Sequence, residues 1–348
     1  MKLLVLTQKV DMNDDVLGFF HDWLKELSRH FSHIIVICLE QGVYDLPENM
    51  TVLSLGKEKS RNRIKYIYNF YRHIWNKRRD YDGVFVHMNA EYAALGGVFW
   101  RLSGKPAYLW YNHRKGGYWA EIARRLVNKI FCTSPYSYFA SDRKSQLMPA
   151  GINTDRFIPA AETVSAKENK LLFLGRISPV KNVAALIETM KIISEENIDV
   201  SLDIVGNPAD THDEEYLASL KAQAAGLIDS GKVKFLHGVP NREAVKEYQS
   251  RRFFINLTNS GSLDKTILEA MACGCLPLVS NLSFKGILPM GLIFVENDSV
   301  DLAAKINNAL KLSLAEKESL AREFRLYVEN NHSLASLAKK IRAEFEML

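Results

Sequence analysis

Short, fully apolar runs alternate with amphipathic stretches of helical length along the whole chain. In the first half the runs are KLLVL (2–6), HIIVICL (33–39), GVFVHM (83–88), AYLWY (107–111) and KIFCT (129–133), with helical periodicity near 16–30, 62–79, 91–103 and 118–128. KLLFLG (170–175), LDIVG (202–206), VKFLHG (233–238), FFINLT (253–258) and LPLVS (276–280) repeat the arrangement in the second half, and from Asp301 onward the pattern is helical throughout. Strands without polar alternation need cover on both faces, which points to parallel sheets joined by crossover helices. The predicted class is therefore α/β, built twice. The polar stretch PAAETVSAKENK (159–170) lacks apolar periodicity and marks the expected boundary, giving domains at 1–160 and 161–332.

Composition narrows this picture. A chain of 348 residues accommodates two cores of ordinary size. An apolar share of 47% with 24% charged residues excludes a disordered chain, and a net charge of +5 is too mild to signal nucleic acid. No apolar run reaches the roughly 18–20 residues of a membrane-spanning helix. The start, MKLLVLTQKVD, reads as a buried strand and not as a signal peptide. The four cysteines are too scattered for a disulfide framework, and Cys273 and Cys275 lack the usual metal spacing. A cytoplasmic location is expected, and the Asn-x-Thr triplets at Asn49 and Asn256 carry no meaning there.

Candidate chemistry concentrates in two fragments. LLFLGRISPVKN places Gly175, Arg176 and Lys181 at a turn from strand to helix. A lysine at a helix start has the wrong sign for the dipole unless an anion is bound. In NSGSLDKTILEAMACGCLP, a polar loop runs straight into a helix, whose first amides suit a diphosphate; Ser262 or Asp264 is the expected N-cap. Glu269, about one turn inside, is placed to accept hydrogen bonds from ribose hydroxyls. Together these read as a nucleotide-sugar site.

The two fragments resemble the GT4 family of glycosyltransferases, whose pattern is Gly-Arg, a spacer and Lys, then Glu, seven residues, and Glu-Ala-Met-Ala-x-Gly-x-Pro. LEAMACGCLP matches the second half closely, and MPAGINTDRFIP (148–159), TQKVDMNDDVLGFF (7–20) and YLWYNHRKGG (108–117) fall where family landmarks are expected. The resemblance implies the GT-B fold: two facing Rossmann-like domains with a cleft between them, the last helix (about 333–348) crossing back onto the first. It further implies transfer of a hexosyl group from a nucleotide diphosphate-sugar with retention of configuration and no metal or other cofactor. One position departs: Gly261 stands where the first glutamate of the pair belongs. That leaves the sugar to Asp264 or to backbone amides. It also keeps open a degenerate, sugar-nucleotide-binding scaffold, beside an epimerase of similar fold.

On this reading Arg176, Lys181 and His113 are the catalytic candidates. Gly18, Gly175, Gly238, Leu263, Asp264, Lys265, Thr266 and Glu269 are the donor-binding ones, with His87 and Glu91 set against the acceptor or the sugar. His113 and His87 both end apolar runs, and ligands in open α/β sheets bind at strand C-termini. Asp80-Tyr81-Asp82 mimics a metal-binding Asp-x-Asp, yet it precedes its strand, on the wrong side for the site. Residues 57–79 carry nine Lys/Arg interleaved with Tyr, Phe and Trp. They suit an anionic membrane surface if the aromatics face outward, or an ordinary core helix if they face inward. The expected acceptor is a lipid-linked or cell-envelope glycan.

Overall fold

The computed structural model describes residues 1–160, 169–260 and 263–347. Two compact units emerge, one formed by Met1–Gly151 with Leu263 and residues 332–347, the other by Ile152–Ser260 with Asp264–Asn331. The chain thus changes unit at Gly151, ahead of the polar stretch. Arg325 explains the early change: its guanidinium donates to the carbonyls of Thr154, Phe157 and Ala272, tying 152–157 to the second unit. Most of the expected boundary stretch, 161–168, lies outside the described residues, as does Gly261.

The first unit holds seven parallel strands: β1 (Lys2–Val10), β2 (His33–Gln41), β3 (Met50–Ser54), β4 (Gly83–His87), β5 (Ala107–Trp110), β6 (Lys129–Cys132) and β7 (Ser145–Leu147). Their order is β3-β2-β1-β4-β5-β6-β7, so the direction of winding reverses between β1 and β4. Alternate residues of each strand feed two cores. Leu4, Leu6, Ile35 and Ile37 meet α2 (Arg63–Asn76), α3 (Ala90–Leu102) and α4 (Tyr118–Leu126). Leu3, Val5, Ile34 and Val36 share the other core with Phe20 and Trp23 of α1 (Phe19–Ser28) and with Leu337, Ile341 and Phe345 of the C-terminal helix, Leu334–Glu346. Tyr108 donates to the Glu344 carbonyl (2.8 Å), fixing that helix on the sheet.

The second unit repeats the plan with five parallel strands, β8 (Lys170–Leu174), β9 (Ser201–Val205), β10 (Val233–Leu236), β11 (Phe253–Asn256) and β12 (Leu276–Val279), in the order β10-β9-β8-β11-β12. The crossovers are α5 (Val183–Glu195), α6 (Thr211–Gln223), α7 (Ala225–Asp229), α8 (Ala244–Gln249) and α9 (Lys265–Ala272); α10 (Ser299–Leu310) and α11 (Leu314–His332) follow, before the C-terminal helix, α12. Here the winding reverses between β8 and β11. From Asp301 onward the chain is divided among three helices. Ser313 and Ser333 provide the interruptions: Ser313 donates to Glu316, and Ser333 accepts from the Ser336 amide as N-cap of α12.

Candidate functional site

In an open α/β sheet the strand C-termini beside the reversal form a ready crevice. Each unit has one, and they are built differently.

In the second unit, β8 ends at Leu174 and the chain turns through Gly175 and Arg176 into a 3-10 turn, Pro179–Lys181, ahead of α5. Gly206, after β9, sits so close that a Cβ there would lie 2.0 Å from the Gly175 carbonyl oxygen. The Asn207 side chain then accepts from the Gly238 amide at 2.9 Å, joining the ends of β9 and β10. Gly238 is therefore part of the frame around the crevice, together with Gly206 and Asn207, which the motif reading missed although GN closes an apolar run.

Across the reversal, Lys181 Nζ donates to Asp264 Oδ2 (2.9 Å) and Thr258 Oγ1 (3.0 Å). Asp264 is the N-cap of α9, taking the Thr266 amide and hydroxyl on Oδ1 and Asn256 on Oδ2. Burial would raise its carboxyl, but the charge and hydrogen bond of Lys181, with Asn256 and Thr266, hold it well below the carboxylate range. An ammonium has three donors, so Lys181 keeps one for a ligand. Arg176 is the freer cation: nearly half exposed, it approaches buried Asp213 only to 3.9 Å. Asp213 was not legible in the sequence, being brought to Arg176 by α6.

Leu263 is buried and Thr266 half-buried beside this cap. Lys265 is pushed down to about 8 by burial, against the pull of Glu269 and Asp264. Glu269 is buried on the first turns of α9, where Oε1 accepts from Asn241 (3.0 Å) and Oε2 from Tyr248 (3.2 Å). Burial raises its carboxyl to about 7, with those two hydrogen bonds opposing. A ribose hydroxyl would be a further donor to an oxygen already in use. Asp210, His212 and Asp213 lie close enough to share a cation, but the carboxylates already serve the start of α6: Asp210 accepts from the Asp213 amide and Asp213 from the Ala209 amide. A larger cavity of about 580 Å³ lies at the opposite end of the sheet, over the starts of β11 and β12; two of its arginines, Arg251 and Arg325, are paired with Asp203, Glu247 and Glu329.

The first unit's crevice is a cavity of about 340 Å³ at the ends of β4 and β5. His87, Glu91 and His113 all line it, with Gln8, Tyr111 and Trp119. His87 is buried, its Nδ1 3.3 Å from the Thr7 hydroxyl and its ring stacked 4.0 Å from Phe20. His113 stands exposed at the mouth against Tyr111, partial burial lowering its pKa while Glu91 opposes. Glu91 is in the first turn of α3, favourable to that helix's dipole. Tyr118 and Trp119 open outward at the start of α4, a platform the motif reading passed over. Gly18 has a packing explanation of its own: a Cβ there would lie 2.4 Å from the Asp14 carbonyl oxygen. Asp80 and Asp82 serve structure at the start of β4, Asp80 pairing with Lys77 and Asp82 accepting from the Lys2 amide.

A D-inositol 3-phosphate glycosyltransferase from Geodermatophilus obscurus is 28% identical over 166 residues, 44% of this chain and 35% of that protein. An alpha-monoglucosyldiacylglycerol synthase from Streptococcus pneumoniae is 33% identical over 107 residues, 31% of this chain and 23% of that protein. The matches thus span little more than a third, at most, of either relative's own length. Among solved structures, the Anabaena protein Alr3699/HepE, in complex with UDP, superposes with a TM-score of 0.79 at 14% identity over 100% of both chains. That likeness concerns the fold alone, and the fold is GT-B. A sequence model of the glycosyl transferases group 1 matches residues 155–331, more than half of the chain, and the chain belongs to that family.

Proposed function

We propose that this protein is a GT4-type glycosyltransferase that moves a hexosyl group from a nucleotide diphosphate-sugar to a glycan or lipid-linked acceptor, with retention and without a metal. The observation carrying this reading is the pairing of Arg176 and Lys181 at the end of β8 with the capped start of α9. Lys181 is held in place by Asp264 with one N–H to spare, and Arg176 is barely engaged. Two cations and a helix start neutralise a diphosphate as its bond to the sugar breaks, the work a divalent ion does elsewhere. The departing oxygen takes the acceptor proton as the acceptor oxygen bonds the sugar carbon on the same face. EDTA treatment should leave turnover unchanged; activity abolished by EDTA and restored by Mg²⁺ would overturn the metal-free mechanism. Because the Anabaena protein was solved with UDP, UDP-sugars head the donor panel to be assayed for transfer, with GDP- and ADP-sugars beside them. No turnover of any donor, with tight nucleoside diphosphate binding, would instead support a scaffold.

The first unit's cavity suits the acceptor. Trp119 offers an apolar face to a sugar ring, while Glu91 and His113 meet hydroxyls. The names of the two curated relatives, one a glycosyltransferase for an inositol phosphate and one a synthase of a glucosylated diacylglycerol, fit a polyol or lipid-borne hydroxyl. The outward face of α2 supports a working position on a membrane surface, which the reading puts at the cytoplasmic side. Only Phe70 and Ile74 of that helix are buried, whereas Ile64, Ile67, Tyr68, Tyr71 and Trp75 face outward along one stripe flanked by Arg61, Arg63, Lys65 and Arg72. Each cation near an anionic surface contributes about 1 kcal/mol. Converting Arg61, Arg63 and Lys65 to Glu should release the protein from anionic vesicles at low salt without altering nucleotide binding.

A further inference from the structure

A second cavity in the first unit, about 500 Å³, lies at the end of the sheet opposite the acceptor candidates, under the starts of β5 and β6. Arg101, Lys105, Arg125, Asn128 and Lys144 line it, and no acidic side chain among the described residues does. Helix ends explain part of this charge. Lys144 Nζ donates to the carbonyls of Arg124 (2.9 Å) and Val127 (2.8 Å), closing α4, and Lys105 donates to the Tyr81 carbonyl. Arg101 and Arg125 also sit in the last turns of α3 and α4, where the helix dipole favours a cation, but neither guanidinium makes an ion pair or hydrogen bond among the described residues. The nearby acids Glu121 and Asp142 are both held by Arg124. Burial lowers the Lys144 ammonium and, although Asp142 opposes, the charges of Arg101, Arg124 and Arg143 add to the lowering. Like charges gathered without a counter-ion repel, and a bound oxyanion removes that cost.

We infer that this cavity binds a phosphate ester, gripped by the Arg101 and Arg125 guanidinia with the Asn128 amide group beside them. Guanidinium forks match phosphate oxygens in geometry as well as charge, and the cavity leaves room for the group esterified to the phosphate. Leu102, next to Arg101, is 85% exposed, and Trp75 of α2 touches Phe99 one turn earlier on α3. An apolar end beside a phosphate pocket fits a lipid headgroup better than a soluble metabolite. The site stands apart from the donor and acceptor candidates, so its failure leaves the transferase reading untouched.

The test uses the full chain, with inorganic phosphate and glycerol 3-phosphate titrated calorimetrically, and sedimentation with phosphatidic acid or phosphatidylcholine vesicles. Arg101→Gln with Arg125→Gln should weaken phosphate binding by roughly tenfold or more, the scale of lost charge-assisted hydrogen bonds. It should also cut sedimentation with phosphatidic acid vesicles while leaving thermal unfolding and transfer to a soluble acceptor unchanged. The Arg61, Arg63 and Lys65 charge reversals should lower vesicle binding yet keep phosphate affinity. Loss of phosphate binding with vesicle binding intact would establish the site for a soluble ester and overturn the lipid assignment. Wild-type protein that ignores phosphate, or a double variant that binds it equally well, would overturn the site.

Discussion

The two units share a topology and differ in how they use it. At the β8/β11 reversal the crevice is made of charges that hold one another: Lys181 on Asp264, Asp264 on the start of α9, Glu269 on Asn241 and Tyr248. At the ends of β4 and β5 it is made of rings, with histidines among Tyr, Phe and Trp and one exposed carboxylate. A diphosphate makes the same electrostatic demand whatever sugar it carries, so the charged crevice follows a fixed spacing. Neutral hydroxyl acceptors make no such demand. The family match accordingly falls on 155–331, in the charged unit.

The largest expected effect tests the charged side. Arg176→Ala should reduce kcat/KM by roughly 10²–10³-fold, as for loss of one preorganised donor to developing charge, with unfolding temperature unchanged. Lys181→Ala should lose as much activity and also about 1–3 kcal/mol of stability, because it strips a partly buried carboxylate of its cation. Equal unfolding curves for the two variants would mean that Asp264 does not depend on Lys181.

The ring-lined side should respond differently. His113→Ala and Trp119→Ala should each slow transfer by about 10²-fold, the low end for one general acid–base group and the scale of a misplaced reactant, while hydrolysis of the donor by water and nucleotide affinity stay at wild-type levels. If donor affinity falls instead, these residues belong to the donor and the division of labour between units is wrong.

Glu269 gives the smallest effect and the sharpest pH signature. Its folded-state value is raised to about 7 from 4.5, so over that interval the folded chain holds a proton that the unfolded chain has released. Stability from this group therefore falls as pH rises from about 4.5 to 7 and is level above. Glu269→Gln should remove that slope in a comparison of unfolding temperatures with wild type. It should also weaken UDP binding by about 1–3 kcal/mol, and abolish any proton release that accompanies binding near pH 7. A loss confined to the sugar-bearing donor would place Glu269 on the sugar.

Much of this molecule is legible in its sequence. The apolar runs specify ten of the twelve strands among the described residues, since a strand buried on both faces can hold little else. The missing two, β3 and β7, are edge strands whose half-buried MTVLS and three-residue SQL show no continuous apolar run. The Gly-Arg and Glu-Ala-Met-Ala fragments announced the charged site because its chemistry is tied to turns with fixed local spacing.

Tertiary structure decided what depends on partners far along the chain. Asp213 reaches Arg176 from α6, Tyr248 and Asn241 reach Glu269 from around α8, and Thr258 joins Lys181 across the reversal. None of these side chains carries a signal of its own, because its role exists only where two elements meet. The same holds for α2, whose sequence allowed its aromatics to face either way. Its periodicity fixes which residues share a stripe; only packing decides that Phe70 and Ile74 turn inward and leave Tyr68, Tyr71 and Trp75 to the solvent side.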